Sequence, residues 1–268
     1  MNNLNQIAKE IRRLTLKCIS SFGSGHIGGS LSIADVMTVL YFDVMNIDPK
    51  DPKKENRDRL VVSKGHAGPV VYATLAHRGY FDEEELLTLN KIGTNLPSHC
   101  DMTKVPGVDM TTGSLGQGSS CAVGIALGSK IKKDNAYIYS IIGDGESQEG
   151  QVWEAMMFAA NKKLDNLIAF LDYNHLQIDG TIEEVNDCGS MEERFASFGW
   201  DTYSIDGHNI EQIKETIEKA KQVKGKPHMI LLNTLKGKGV SFIENVPDKN
   251  HSMPISKEDL EKALEELK

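Results

Sequence analysis

Residues 136–180 read AYIYSIIGDGESQEGQVWEAMMFAANKKLDNLIAFLDYNHLQIDG. Two short apolar runs, AYIYSII at 136–142 and NLIAFL at 166–171, have the length and composition of strands buried on both faces. Between them, ESQEGQVWEAMMFAANKKL has helical spacing, with a start near Ser147. The unit is strand, helix, strand, and its crossover returns both strand ends to one edge of the sheet. Asp144, flanked by Gly143 and Gly145, follows the first strand, and Asn174 holds the matching place after the second. Taken singly, GDG reads as a tight turn and Asn174 as a helix cap. Paired on one such unit, a carboxylate and an amide oxygen converge where open α/β sheets bind ligands. Such a pair suits magnesium, a hard cation that takes few protein oxygens and fills its shell from phosphates and water. The helix would also point its amino end, with positive dipole character, towards a diphosphate.

Outward from this unit the same alternation continues. Helical spacing recurs near 3–20, 32–44, 66–78, 82–91, 118–132, 147–161, 209–222 and 256–267, and further strands are expected at 59–63, 201–205 and 228–232. This alternation predicts one doubly wound α/β domain, a mainly parallel sheet with helices on both faces, over residues 1–268. The polar stretch DPKDPKKENRDR reads as a surface loop. The 30 Lys and Arg against 38 Asp and Glu leave a net charge of −8, the wrong sign for a general nucleic-acid binder. No apolar run approaches the roughly 18 residues that a membrane span needs. Cys18, Cys100, Cys121 and Cys188 lie far apart with no C-x-x-C, which signals neither a zinc site nor a disulfide framework and fits a reducing cytoplasm.

The segment from Gly143 to Gly180 resembles the thiamine diphosphate motif, which opens on GDG and closes on asparagine about 30 residues later. Its form, with EG after GDG and N-x-x-x-I-D-G at the end, is similar to transketolases. SSFGSGHIGGSLS at 20–32, VSKGHAGPVVYA at 62–73 and TTGSLGQGSSCAVGIALG at 111–128 agree with that family. The resemblance runs from about residue 5 to His251 and covers only the family's amino-terminal, diphosphate-binding domain.

The resemblance implies that Asp144, the Asn174 side chain and the Leu176 carbonyl hold magnesium, for which calcium or manganese substitutes. It implies cofactor contacts from Gly143, Gly145, His66, Glu149, Asn174 and His251, with Gly113 and Leu115 holding the aminopyrimidine through main-chain atoms. His26, His66, His99 and His251 match positions lining the substrate channel, where a neutral ring offers one donor and one acceptor. Glu149 matches a catalytic acid at the contact between two cofactor sites, as, with less local support, does Glu154. His77, His175, His208 and His228 are read as structural or surface residues.

Gly23 to Gly28 fits G-x-G-x-x-G, but a helical pattern precedes it where a dinucleotide site needs a strand. LKGKGVSF, with Lys236 and Lys238, reads either as a flexible loop or as a basic patch closing over the cofactor. The family's glutamate that activates the cofactor lies on a pyrimidine-binding domain, which together with a carboxy-terminal domain is expected on a separate chain. The expectation is therefore the amino-terminal subunit of a split transketolase. With its carboxy-terminal partner, in an α2β2 heterotetramer that includes self-association, it would move a two-carbon ketol unit between sugar phosphates, as in the pentose phosphate pathway. The alternatives are the alpha chain of a 2-oxoacid dehydrogenase, a synthase joining pyruvate to an aldehyde, or a non-catalytic cofactor-binding relative.

Overall fold

The computed structural model describes residues 3–178, 180–246 and 249–268, so Asp179 of the I-D-G segment lies outside the described residues. Its centre is a five-stranded sheet of β1 (Arg59–Val62), β2 (Ile138–Gly143), β3 (Leu167–Tyr173), β4 (Asp201–Asp206) and β5 (His228–Asn233). The spatial order is β1-β2-β3-β5-β4, and every pairing is parallel. The three inner strands are buried almost throughout, whereas edge strand β4 is half exposed, which is why only the inner runs are continuously apolar.

Successive side chains point to opposite faces and build two cores. Ile141, Ile168, Phe170 and Ile230 pack with Ile11 of α1 (Leu4–Phe22), Val36 of α2 (Ala34–Val39), Val70 of α3 (Gly68–Arg78) and a further helix over residues 210–222. Ile142, Ala169, Leu171 and Met229 pack on the other side with Val123 of α4 (Gln117–Lys132), Met156 of α5 (Gly150–Asn161) and Phe195. Full burial of a chain such as Phe170 contributes roughly 1.5–3 kcal/mol, so the two faces supply the main stabilisation. The helix over 210–222 is α6 (Ile210–Gln222), and α7 (Lys257–Glu266) packs against α1.

Helix α1 is capped by the Asn3 side chain and stopped by Gly23 at φ 97, a left-handed conformation that glycine adopts without a Cβ clash. The expected helix at 82–91 is only a run of 3-10 turns, Glu83–Thr88. Leu89 leaves the helical region at ψ 127 and Asn90 sits at φ 55, which leaves too few residues to pass helix nucleation. The helix at 32–44 narrows to α2 and then widens to a π-turn at Leu40–Val44. After GDG, a 3-10 turn at Glu146–Gln148 and an extended Glu149 delay α5 to Gly150, later than the expected start.

Register positions the site. Gly143 pairs with Asp172 and Tyr173 with Asn233, so the loops leaving β2, β3 and β5 start level with one another at the carboxyl edge.

Candidate active site

Those loops, with others from both ends of the chain, enclose a cavity of about 560 Å³. Asp144, Asn174, Leu176, Gly143, Gly145, Gly113, Leu115 and Glu149 all line it, as do His26, His66, His99 and His251. The metal, cofactor and substrate positions expected from the motifs thus face one space. Glu154 is exposed and lies outside it, and Lys238 is not in its lining.

Asp144 sits at the floor with one carboxylate oxygen, Oδ1, accepting the Gly145 N–H at 2.8 Å. The other, Oδ2, is buried without any hydrogen-bond partner. Burial, and then the charge of Asp172, push the Asp144 carboxyl up to about 7. A buried carboxylate oxygen with no donor is costly unless something positive meets it. Asn174 and Leu176 line the same cavity, with Asn174 Oδ1 accepting the Leu176 N–H at 3.1 Å and the Leu176 carbonyl facing Lys236 Nζ at 3.4 Å, so the groups the motifs offer beside Asp144 are oxygens. Among the described residues no cluster of three or more His, Cys, Asp or Glu is arranged to hold a metal. An oxygen set of this kind fits a hard divalent cation that shares its shell with a diphosphate.

Beneath the floor lies a buried ion pair. Asp172 Oδ2 accepts from Lys64 Nζ at 2.6 Å, Ser32 Oγ at 2.7 Å and Asn174 Nδ2 at 3.0 Å, while Oδ1 accepts from Thr234 Oγ1 at 2.5 Å. Burial alone raises a carboxyl, but Lys64, Ser32 and Thr234 outweigh it and hold Asp172 below the usual range. Because a carboxylate only accepts, Asn174 must turn its NH2 towards Asp172, which sets the direction of its oxygen. The sequence signal for Asp172 is a charged residue closing the apolar run LIAFL.

The histidine rings form one cluster. His26 lies 5.3 Å from His66, 5.5 Å from His99 and 5.4 Å from His251 between ring centroids, and His66 lies 5.0 Å from His251. Burial, followed by like charge from neighbouring cations, lowers His26 and His66, and lowers His251 to about 4. These three rings are therefore neutral near pH 7, each with one donor and one acceptor. Tyr72 Oη donates to the carbonyls of Pro97 and His99 and fixes the approach of that loop. Lys236, 3% exposed, reaches into the cavity from the loop after β5, and burial lowers its ammonium to about 8.

The GDG motif gives no hint of what Glu146 does. Its Oε1 accepts from Ser63 Oγ at 2.5 Å and the Gly116 N–H at 2.9 Å, and its Oε2 accepts the Gly143 N–H at 3.1 Å. One side chain thereby ties the SKGH, TGSLG and GDG segments together. Glu146→Gln replaces an acceptor by an NH2 facing other donors, so it is expected to destabilise the chain by about 1–3 kcal/mol in a urea titration. Stability equal to the wild type would show that these ties contribute little.

Residues 4–267 match the family described as transketolase, thiamine diphosphate binding domain. The chain belongs to the transketolase family. It is 54% identical over 265 residues to the 6-deoxy-6-sulfo-D-fructose transketolase subunit SqwG of Clostridium sp. (strain MSTE9), covering 99% of this chain and 96% of that one. An apulose-4-phosphate transketolase subunit from Phocaeicola vulgatus is 41% identical, with 96% of this chain and 90% of that one covered. Transketolase from Campylobacter jejuni superposes with a TM-score of 0.91 at 34% identity, over 100% of this chain and 43% of that one. The chain thus spans nearly all of the subunit relatives and about two-fifths of the solved transketolases it matches.

Proposed function

We propose that this chain is the amino-terminal, cofactor-binding subunit of a two-chain transketolase that transfers a two-carbon ketol unit from a ketose to an aldose. The observation that carries this reading is the Asp144 floor, with its unpartnered buried oxygen, facing a cluster of four histidines across one cavity. Coverage of 96% of one subunit relative supports a separate partner chain carrying the pyrimidine-binding domain. An α2β2 assembly and a cytoplasmic setting follow the same reading, the latter supported by four free thiols.

Thiamine diphosphate supplies an electron sink when bound. This chain's residues do the rest of what the cavity allows. Asp144, Asn174 and the Leu176 carbonyl would hold magnesium, and His66, Gly145 and Lys236, which line the same cavity, would contact the diphosphate. Main-chain atoms of Gly113 and Leu115 would hold the aminopyrimidine. His26, His99 and His251, with His66, would orient sugar hydroxyls and move protons at the substrate carbonyl and hydroxyl oxygens. Glu149, exposed at the cavity edge, is free to meet a second chain.

Among the described residues no arginine lines the cavity, and Lys64 is committed to Asp172. Recognition of the sugar's acidic end therefore falls to the partner. Similarity to one subunit acting on a sulfo-sugar and to another acting on apulose-4-phosphate supports a ketose with a sulfonate or phosphate terminus.

The test is co-expression with a candidate carboxy-terminal chain, followed by ketol-transfer assays with thiamine diphosphate and magnesium on 6-deoxy-6-sulfo-D-fructose and ketose phosphates. Activity is expected only in the mixture. Robust turnover by either chain alone would overturn the split arrangement, and carbon dioxide released from pyruvate would favour a 2-oxoacid enzyme.

A further inference from the structure

His208, expected to be a structural or surface residue, joins a network spanning four segments that is buried at Arg12 and Asp35 and half-buried at the ring. Arg12 of α1 grips Asp35 of α2 with both terminal nitrogens, at 3.0 and 2.5 Å. His208 Nδ1 lies 2.8 Å from Asp35 Oδ2. Both arms then reach the loop after β5. Arg12 Nε donates to the Lys238 carbonyl at 3.1 Å, and the Leu235 N–H donates to His208 Nε2 at 2.8 Å. Those two ties bracket Lys236, whose side chain enters the cavity. The loop is further held by Gly237 N–H on the Gly28 carbonyl at 3.1 Å and by Asn250 Nδ2 on the Lys236 carbonyl at 3.2 Å.

We propose that His208, anchored by Arg12 and Asp35, is a positioning residue that holds the Lys236 loop closed against the cavity. The logic of donors fixes its state. A backbone N–H can only donate, so Nε2 facing Leu235 carries a lone pair, and the proton resides on Nδ1, donated to Asp35. Asp35 is in turn held by Arg12, which leaves the ring no second orientation that satisfies both neighbours. The glycine before it is required. A Cβ on Gly207 would lie 2.5 Å from Thr234 Cγ2, so only glycine lets the 206–208 turn lie close enough to reach Leu235. The consequence for a bound diphosphate rests on the proposed function, because Lys236 is the cation this loop presents. The positioning itself does not.

Two measurements on the full chain without cofactor test it. Side-chain nitrogen NMR of His208 at neutral pH is expected to show Nδ1 protonated and Nε2 bare; the opposite tautomer, or an imidazolium, overturns the proposal. In His208→Phe, amide exchange over residues 235–239 is expected to quicken about tenfold, the scale of one lost hydrogen bond. Acetylation of Lys236 is expected to rise by a similar factor relative to Lys64, whose protection reports the intact core. A folded variant with unchanged exchange and unchanged Lys236 labelling refutes the latch. Should His208→Phe fail to fold, Arg12→Lys keeps a charge for Asp35 and loses the Nε tie, and it is expected to free the Lys238 end alone. Both readouts are independent of turnover, so they can fail while the enzymatic reading stands.

Discussion

Asp144→Asn is expected to lower magnesium-dependent thiamine diphosphate affinity by at least about 100-fold, since even indirect supports of a metal commonly contribute 10–100-fold. The same variant is expected to melt no lower than the wild type in the absence of cofactor. Asp144 Oδ2 is buried without a donor and feels the charge of Asp172, so a neutral amide removes a cost from the empty fold. The sign of the pH effect follows from linkage. The folded-state value, about 7, lies above the reference 3.8, so the folded chain holds this proton more tightly than the unfolded chain. Its contribution to stability is full below about 4 and is lost as pH rises through about 7. A divalent cation competes with that proton, so its affinity is expected to climb over the same window and level off above it. Calorimetric titrations from pH 5 to pH 8 of wild type and variant would show both trends, and a variant with undiminished affinity would remove Asp144 from the metal site.

Gly65→Ala is expected to be severely damaging for a single added methyl. A Cβ there would lie 2.4 Å from the carbonyl carbon and oxygen of Thr112 and 2.6 Å from the Gly113 nitrogen, all of them backbone atoms. No side-chain rotation relieves such contacts. The segment carrying His66 and the segment carrying Gly113 must separate, and Glu146, which ties both through Ser63 and Gly116, loses its geometry too. Overpacking against side chains costs about 1–3 kcal/mol, and a backbone neighbour places this substitution at or beyond the upper end. At that scale the melting temperature is expected to fall by roughly 6–12 °C, with cofactor binding lost. Gly79→Ala is the control. Gly79 has φ 96 but open space around its Cβ position, so it incurs only left-handed strain, roughly 1–2 kcal/mol, and leaves the site intact. Equal effects from the two substitutions would show that the Gly65 contact is not special.

The sheet was readable because its inner strands are mainly apolar runs, and the floor of the site because GDG and Asn174 fall at matching strand ends. The histidines were readable through their motifs and not through any local property. Glu83–Thr88 misled because its apolar spacing is helical while Leu89 and Asn90 turn the backbone away. Glu146, Asp172 and His208 act through partners 83, 140 and 173 residues away in sequence, namely Ser63, Ser32 and Asp35, and no local pattern encodes such pairings. Lys236 stood between two readings until the fold buried it.

The contact between His26 and His251 joins positions 225 apart, the difference of their numbers, with ring centroids 5.4 Å from one another. At about 5–20 residues per second, a ribosome needs roughly 10–45 s to make the second ring after the first. Throughout that interval the growing chain has a sheet edge with only part of its cavity wall, and the histidine cluster closes only after synthesis has passed residue 251. A ligand that needs that wall therefore stabilises the finished fold and does not guide the nascent one.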